Sequence, residues 1–99
     1  MIWHVVRFDF AGVADDLRDD LERQLRGLED LDCVGFLRVG RDLDQPTVTG
    51  LVTGFADAGE LDRYRTHPDH LPVVEAIRAA GVATSRIDIE SDDDPRVLA

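Results

Sequence analysis

The chain has no lysine, a single cysteine and few aromatic residues, and each shortage excludes a class of function. Without a lysine side chain there is no Schiff-base chemistry. The lone Cys33 can form neither a disulfide within the chain nor a cysteine-based zinc cluster, so we expect it to be a small buried hydrophobe. Aromatic residues make up 6% of the sequence, so the core must come mainly from Leu, Val, Ile and Ala.

Long apolar segments are missing as well. No stretch approaches the roughly 20 apolar residues that span a bilayer. The amino-terminal MIWHVVRFDF also lacks the cationic region and the long apolar run of a signal peptide. We therefore expect a cytoplasmic protein with no membrane partner. The 99 residues suffice for one hydrophobic core and hence for one domain.

The charge is strongly of one sign, with 21 acidic residues against 11 basic ones and a net charge of −10. Such a chain repels phosphate backbones, so nucleic acid is an unfavourable partner. The sequence also contains no phosphate-binding Gly-rich loop, no nucleotide fingerprint and no Ser/His/Asp signature. Neither nucleic acid nor a nucleotide is therefore expected as a partner.

Alternating apolar and polar residues predict four β-strands, over residues 2–10, 34–43, 48–55 and 83–89. One face of the first strand carries Ile2, His4, Val6, Phe8 and Phe10. Its other face carries Trp3 and Val5, so both sides of the sheet should be covered. The second and third strands form a hairpin through DLDQPT, and Gly54 leaves space for a bulge or a neighbouring side chain.

Helical spacing predicts the helices. The first is amphipathic and carries Leu17, Leu21, Leu25 and Leu28 on its apolar stripe. A short second helix covers DAGELDRYRT. Pro68 then moves His67 out of helical geometry and suits the first position of a new helix, which ends at Gly81. We expect the new helix to present an apolar stripe formed by Leu71, Val74 and Ile77.

The order strand, helix, strand, strand, helix, strand predicts an α+β domain with the ferredoxin-like βαββαβ fold. Its four-stranded antiparallel sheet has helices on one face. Residues 1–90 form this domain, and the acidic residues 91–99 are expected to be a flexible tail. Because Trp3 and Val5 point to the face without helices, we expect a second copy to pack there as a homodimer.

Three segments together, IWHVVRFDF, GFLRVGRDL and FADAGELDRYRTHPDHLPVVEAI, resemble the stress-responsive A/B barrel (Dabb) family of the dimeric α/β-barrel superfamily. The resemblance spans about residues 2–90. It implies a homodimeric barrel with a pocket in each subunit between sheet and helices. One plant member, a polyketide cyclase that forms olivetolic acid, uses a Tyr and a His of the Y-x-x-H-P-x-H segment. By that resemblance Tyr64 and His70 are the catalytic pair, and His4 and His67 match pocket histidines.

The chain departs from the plant cyclase in a shorter RDLDQPTVTG connection and a Leu-rich first helix, so a long alkyl-tailed polyketide is not expected as the substrate. In the first turn of a helix, the dipole disfavours a charged His70 imidazole, whereas the neighbouring Asp69 favours it, so the sequence leaves the direction of the net pKa shift open. An uncharged imidazole suits a general base, and the Tyr64 phenol suits a donor to an enolate oxygen.

Structural roles are open for the same residues. His70 could face solvent, Tyr64 could be a core residue, and His67 could serve only the loop. A metal ion shared by His4, His67 and His70 has no evident fourth ligand, so no metal site is expected.

Three functions follow from this reading. The first is a cofactor-independent enzyme for aldol- or Claisen-type cyclisation, or enolisation, of a carbonyl-rich molecule, with Val6, Phe8, His4 and His67 lining its pocket. The second is a non-catalytic, stress-responsive or ligand-binding homodimer. The third is a cofactor-free monooxygenase.

Overall fold

The computed structural model describes residues 1–92 of the chain, so most of the expected acidic tail at 91–99 lies outside the described residues. The strands are β1 (Ile2–Asp9), β2 (Phe36–Arg41), β3 (Val48–Phe55) and β4 (Ala83–Glu90). The helices are α1 (Asp15–Gly27), α2 (Ala58–Arg65) and α3 (Leu71–Ala79), and α1 runs into a short 3-10 turn at Leu28–Asp30.

The four strands form one antiparallel sheet in the order β2-β3-β1-β4. Strand β1 is central and pairs with both β3 and β4, so His4 lies between Thr53 and Asp88. The predicted α+β, ferredoxin-like βαββαβ fold is confirmed. The register gives the sheet an inner face, which holds His4, Thr53 and Asp88 and meets the helices, and an outer face.

The core lies between the inner face and the helices. Val6 and Phe8 of β1 are buried there with Leu21 and Leu25 of α1 and Ile77 of α3. Each such side chain contributes about 1.5–3 kcal/mol through burial. The apolar stripes predicted for α1 and α3 are correct only in part, because some of their residues are not covered by the rest of the fold. Leu17 is 42% exposed, and Leu71 and Val74 of α3 are also about half exposed.

Strand β2 is shorter than expected at both ends. Before it, the backbone N–H of Val34 donates to the Leu31 carbonyl and holds a loop. After it, the Asp42 carboxylate accepts hydrogen bonds from the backbone N–H groups of Asp44 and Gln45, at 2.9 and 2.8 Å. A carboxylate that bonds the following backbone forms a turn, which ends the strand at Arg41.

The break between α2 and α3 differs from the expectation in its position. Pro68 lies in the turn, and α3 begins at Leu71 with Pro72 in its first turn. The His67 carbonyl accepts hydrogen bonds from the backbone N–H groups of His70 and Leu71, at 2.9 and 3.1 Å. This turn places His70 at the N-cap of α3 instead of inside its first turn.

The outer face carries an apolar patch around Trp3, beside charged residues such as Arg7 and Arg38. Trp3 contacts Phe36 edge to face, with ring centroids 5.7 Å apart. The Phe36 ring covers Gly54, where an added Cβ would lie 2.0 Å from Phe36 Cε1, so Gly54 provides the space that the sequence suggested. Ile87 and Ile89 of β4 are 58% and 44% exposed on this face. None of the described helices is long and apolar enough to cross a bilayer.

Candidate functional site

A cavity of about 460 Å³ opens between the inner face of the sheet and helices α2 and α3. Most of its wall is aliphatic or aromatic, which suits the body of a small organic molecule. The polar side chains in the wall are His4, Tyr64, Arg65, His70, Arg78, Thr84 and Arg86. Strand β1, the end of α2 and the turn before α3 therefore position the groups that the sequence singled out.

Tyr64 and His70 lie together in this wall. Their ring centroids are 4.0 Å apart and the rings are inclined by 35°, so the imidazole stacks on the phenol ring. The other side of the contact is supported by Phe55, whose ring centroid lies 5.0 Å from that of Tyr64. The turn at Pro68 brings the two residues into contact although they belong to different sides of the helix break.

The His70 imidazole is uncharged near neutral pH. Burial lowers its pKa below the ordinary value of 6.5, and the nearby His4 and His67 side chains act in the same direction. The backbone of Arg65 acts in the opposite direction and raises the pKa in part. His70 Nδ1 is buried and has no hydrogen-bond partner within residues 1–92. Unpaired buried nitrogens are rare, and catalytic groups are one of their explanations.

Tyr64 keeps its proton over the whole neutral range. The side chain is 2% exposed, and burial raises the pKa of the phenol, with a further contribution from Cys33. A phenol in this state donates hydrogen bonds and does not act as a base. The pair therefore combines one group that can accept a proton with one that can donate a hydrogen bond.

His4 is buried in the same wall and is held by Asp88 across the β1–β4 pairing. Its Nδ1 contacts Asp88 Oδ1, and its ring centroid lies 5.9 Å from that of Tyr64. Burial alone would raise the pKa of Asp88, but the hydrogen bonds from His4 and Arg65 outweigh it and lower the pKa. An ionised Asp88 fixes the ring so that the neutral tautomer carries its proton on Nδ1, which leaves Nε2 as an acceptor.

Five of the six residues that the sequence assigned to the site lie in the cavity wall: His4, Val6, Phe8, Tyr64 and His70. His67 does not. Its Nδ1 accepts a hydrogen bond of 3.0 Å from the backbone N–H of Asp69, so its ring stabilises the turn instead. This contact fits the loop role that the sequence analysis left open for His67, because a histidine side chain can bond to the local backbone.

Asp88, Arg65 and Arg86 were missed by the sequence reasoning. The alternation of β4 already placed Arg86 and Asp88 on the face opposite Ile87 and Ile89. The sequence alone did not predict the register between β1 and β4, which places Asp88 beside His4. Within residues 1–92, no group of three or more His, Cys, Asp or Glu side chains is arranged to hold a metal ion.

The sequence matches the family described as "Stress responsive A/B Barrel Domain" over residues 2–91. No curated protein is similar enough in sequence to count as a relative. Three of the solved structures that are similar to this chain illustrate the shared fold. A protein from Arabidopsis thaliana has a TM-score of 0.79 and 18% identity, over 95% of this chain and 98% of that one.

SnoaB, a cofactor-independent oxygenase from Streptomyces nogalater, has a TM-score of 0.76 and 16% identity, over 95% of each chain. A dimeric ferredoxin-like protein of unknown function from Thermobifida fusca has a TM-score of 0.79 and 18% identity, over 91% of this chain and 90% of that one. Identities this low show a common fold and no more. Because the family match covers nearly the whole chain, the chain belongs to the stress-responsive A/B barrel domain family.

Proposed function

We propose that the protein is a cofactor-independent enzyme that enolises a small carbonyl compound in this cavity, in the manner of a polyketide cyclase. The observation that carries the proposal is the uncharged His70 imidazole stacked on Tyr64 at 4.0 Å inside the cavity of about 460 Å³. General base catalysis needs a group that is unprotonated at the working pH and within reach of the substrate.

In the proposed reaction His70 accepts the proton from the carbon next to a substrate carbonyl. The electron pair of the broken C–H bond moves into the enolate, and the Tyr64 hydroxyl donates a hydrogen bond to the enolate oxygen. In a substrate with a second carbonyl, the enolate carbon then attacks that group and closes a ring. The proton held by His70 returns to the new alkoxide, so the enzyme ends as it began.

The test measures enolisation directly, by uptake of deuterium next to the carbonyl of aryl ketones in deuterium oxide. We expect the wild type to accelerate uptake, His70→Ala to lose about 100-fold or more, and Tyr64→Phe to lose a smaller factor. Leu43→Ala is the control, because this side chain is 99% exposed and lies outside the cavity wall, so the rate should stay within about twofold. Equal rates in wild type and His70→Ala would refute the assignment.

Two further measurements, made beside the deuterium assay, distinguish enolisation from two other functions. A non-catalytic ligand-binding or stress-responsive protein would be stabilised by the ketones in thermal unfolding without exchanging their protons. A cofactor-free monooxygenase, the activity stated for SnoaB, would also begin by removing a proton from its substrate. It would then consume oxygen, which an oxygen electrode detects with phenolic substrates.

We also propose that the protein is a homodimer through its outer sheet face. The apolar side chains on that face are Trp3, Val5, Val52, Ile87 and Ile89. Exposed isoleucines on a sheet face are typical of surfaces that another molecule covers. The Thermobifida fusca protein with the same fold is described as dimeric. Light scattering should give a dimeric mass, and Ile87→Asp should give a monomer, whereas Val74→Asp on α3 should not.

A further inference from the structure

The charged side chains in the cavity wall are all of one sign. They are Arg65, Arg78 and Arg86, and no acidic residue within residues 1–92 contributes to the wall. This is unexpected in a chain with 21 acidic and 11 basic residues. The wall behind these arginines is apolar, so the cavity combines an apolar body with a cationic rim.

Each arginine of the rim has an acidic partner, but Arg65 and Arg86 share one of these partners. Arg65 and Arg86 both donate to the same oxygen, Asp88 Oδ2, at 3.1 Å each. The other oxygen of Asp88 is bonded to His4. Two guanidinium groups therefore share one carboxylate, and the further partner of Arg65, Asp62, has a side chain that is 71% exposed to solvent.

Arg78 differs from the other two arginines. Its Nε and Nη2 both donate to the carboxylate of Glu75, one turn earlier on α3, at 3.0 and 2.5 Å. The binding edge of its guanidinium is thus already occupied by a carboxylate. Arg65 and Arg86 each give a single N–H to Asp88 and keep further N–H donors, since a guanidinium has five.

From this arrangement we propose that the substrate carries a carboxylate, which Arg65 and Arg86 bind at the rim while the apolar and carbonyl-bearing part enters the cavity. The proposal names the substrate class of the proposed enolisation and rests on that function only in using the same cavity. A planar carboxylate matches the fork of a guanidinium, and charge-assisted pairs of this kind are stronger than neutral hydrogen bonds.

The experiment compares β-benzoylpropionate, an aryl ketone with a carboxylate, with its uncharged amide. Binding is measured by calorimetry, and deuterium uptake next to the ketone is followed by NMR on the same samples. We expect the wild type to bind the acid about tenfold more tightly than the amide. In the double variant Arg65→Gln/Arg86→Gln the ratio should fall below about twofold. Arg23→Gln, the matched control at an exposed arginine outside the cavity wall, should keep the wild-type ratio.

The two readouts separate the two proposals. If the acid binds more tightly but neither compound exchanges its protons, the carboxylate site stands and enolisation is refuted. If both compounds exchange equally well, enolisation stands and the carboxylate site is refuted. Equal affinity of the wild type for acid and amide, or no binding of either, overturns the inference without reference to any variant. Single variants replace the double one if it does not fold.

Discussion

Two polar clusters lie under the inner face of the same sheet, and they are built in opposite ways. Between α1 and the strands β2 and β3, the buried Glu22 carboxylate accepts hydrogen bonds from Arg41, at 2.6 Å, and from Thr49, at 2.7 Å. The buried Arg18 donates to Thr49 at 3.0 Å and to the Pro46 carbonyl at 2.6 Å, while its Nε lies 3.7 Å from Glu22 Oε2 and forms an ion pair without a hydrogen bond. Beside the cavity, the buried Nδ1 of His70 has no hydrogen-bond partner within residues 1–92.

The two clusters also differ in how burial affects the pKa of their titratable groups. Burial alone would raise the pKa of Glu22, but the hydrogen bonds from Arg41 and Thr49 outweigh it and lower the pKa, so the charge is stabilised by the fold. In His70 burial outweighs the opposing effect of the Arg65 backbone, so the pKa is lowered and the uncharged imidazole is favoured. A paired cluster connects helix to sheet, whereas an unpaired group beside a cavity costs stability and keeps its chemistry available.

The largest effect on stability should come from the paired cluster. We expect Glu22→Ala to lower the free energy of unfolding by about 3 kcal/mol, because it leaves the buried Arg18 without its acidic neighbour. The value lies at the low end for a buried pair because Arg41 is half exposed and can turn to solvent. Denaturant unfolding measures the change.

Glu29→Ala is the matched control for that experiment. Glu29 pairs with Arg38 at 3.4 Å, and both side chains are more than half exposed. Exposed pairs of this kind contribute less than about 1 kcal/mol. Equal losses in the Glu22 and Glu29 variants would show that the buried cluster does not connect α1 to the sheet.

Much of the fold could be predicted from the sequence because strand alternation is a local property. Ile2, His4, Val6 and Phe8 share a face in any register. The bounds of β2 could not be predicted, since they depend on hydrogen bonds of Asp42 to the backbone of the turn. The exposure of Leu17 also depends on how α1 lies on the sheet, which its own periodicity does not determine.

The sequence indicated several individual residues of the candidate site, but it did not indicate which distant residues pair with them. Tyr64 and His70 belong to one segment, so a break between them was enough to suggest their contact. Asp88 and His4 are 84 positions apart and meet only through the register of β1 and β4. The arginine rim likewise joins the end of α2 to β4. Long-range pairings of this kind require the register to be known.

A smaller effect of opposite sign is expected at the unpaired histidine. His70→Phe keeps the ring stacked on Tyr64 and removes a buried nitrogen that has no partner. We expect the free energy of unfolding to stay the same or to rise by about 1 kcal/mol while enolisation is lost. His67→Phe, the control, should lower it by about 1 kcal/mol, since His67 Nδ1 accepts a backbone hydrogen bond. A clear loss of stability in His70→Phe would contradict the contrast between the two clusters.

The smallest effect is the pH dependence of that same variant. Because the folded pKa of His70 lies below its unfolded value of 6.5, the unfolded chain binds the proton first as the pH falls. Wild-type stability is therefore complete above 6.5 and decreases as the pH falls toward the folded pKa, whereas His70→Phe lacks this loss. The same variant removes the repulsion that His70 shares with His4 and His67, which acts in the same direction.

The difference in Tm between the His70→Phe variant and the wild type should thus widen from pH 7 to pH 5, as thermal unfolding in matched buffers would show. A difference that stays constant over this range would mean that His70 is as easily protonated in the folded protein as in the unfolded chain, and the two polar clusters would then no longer differ in the way described.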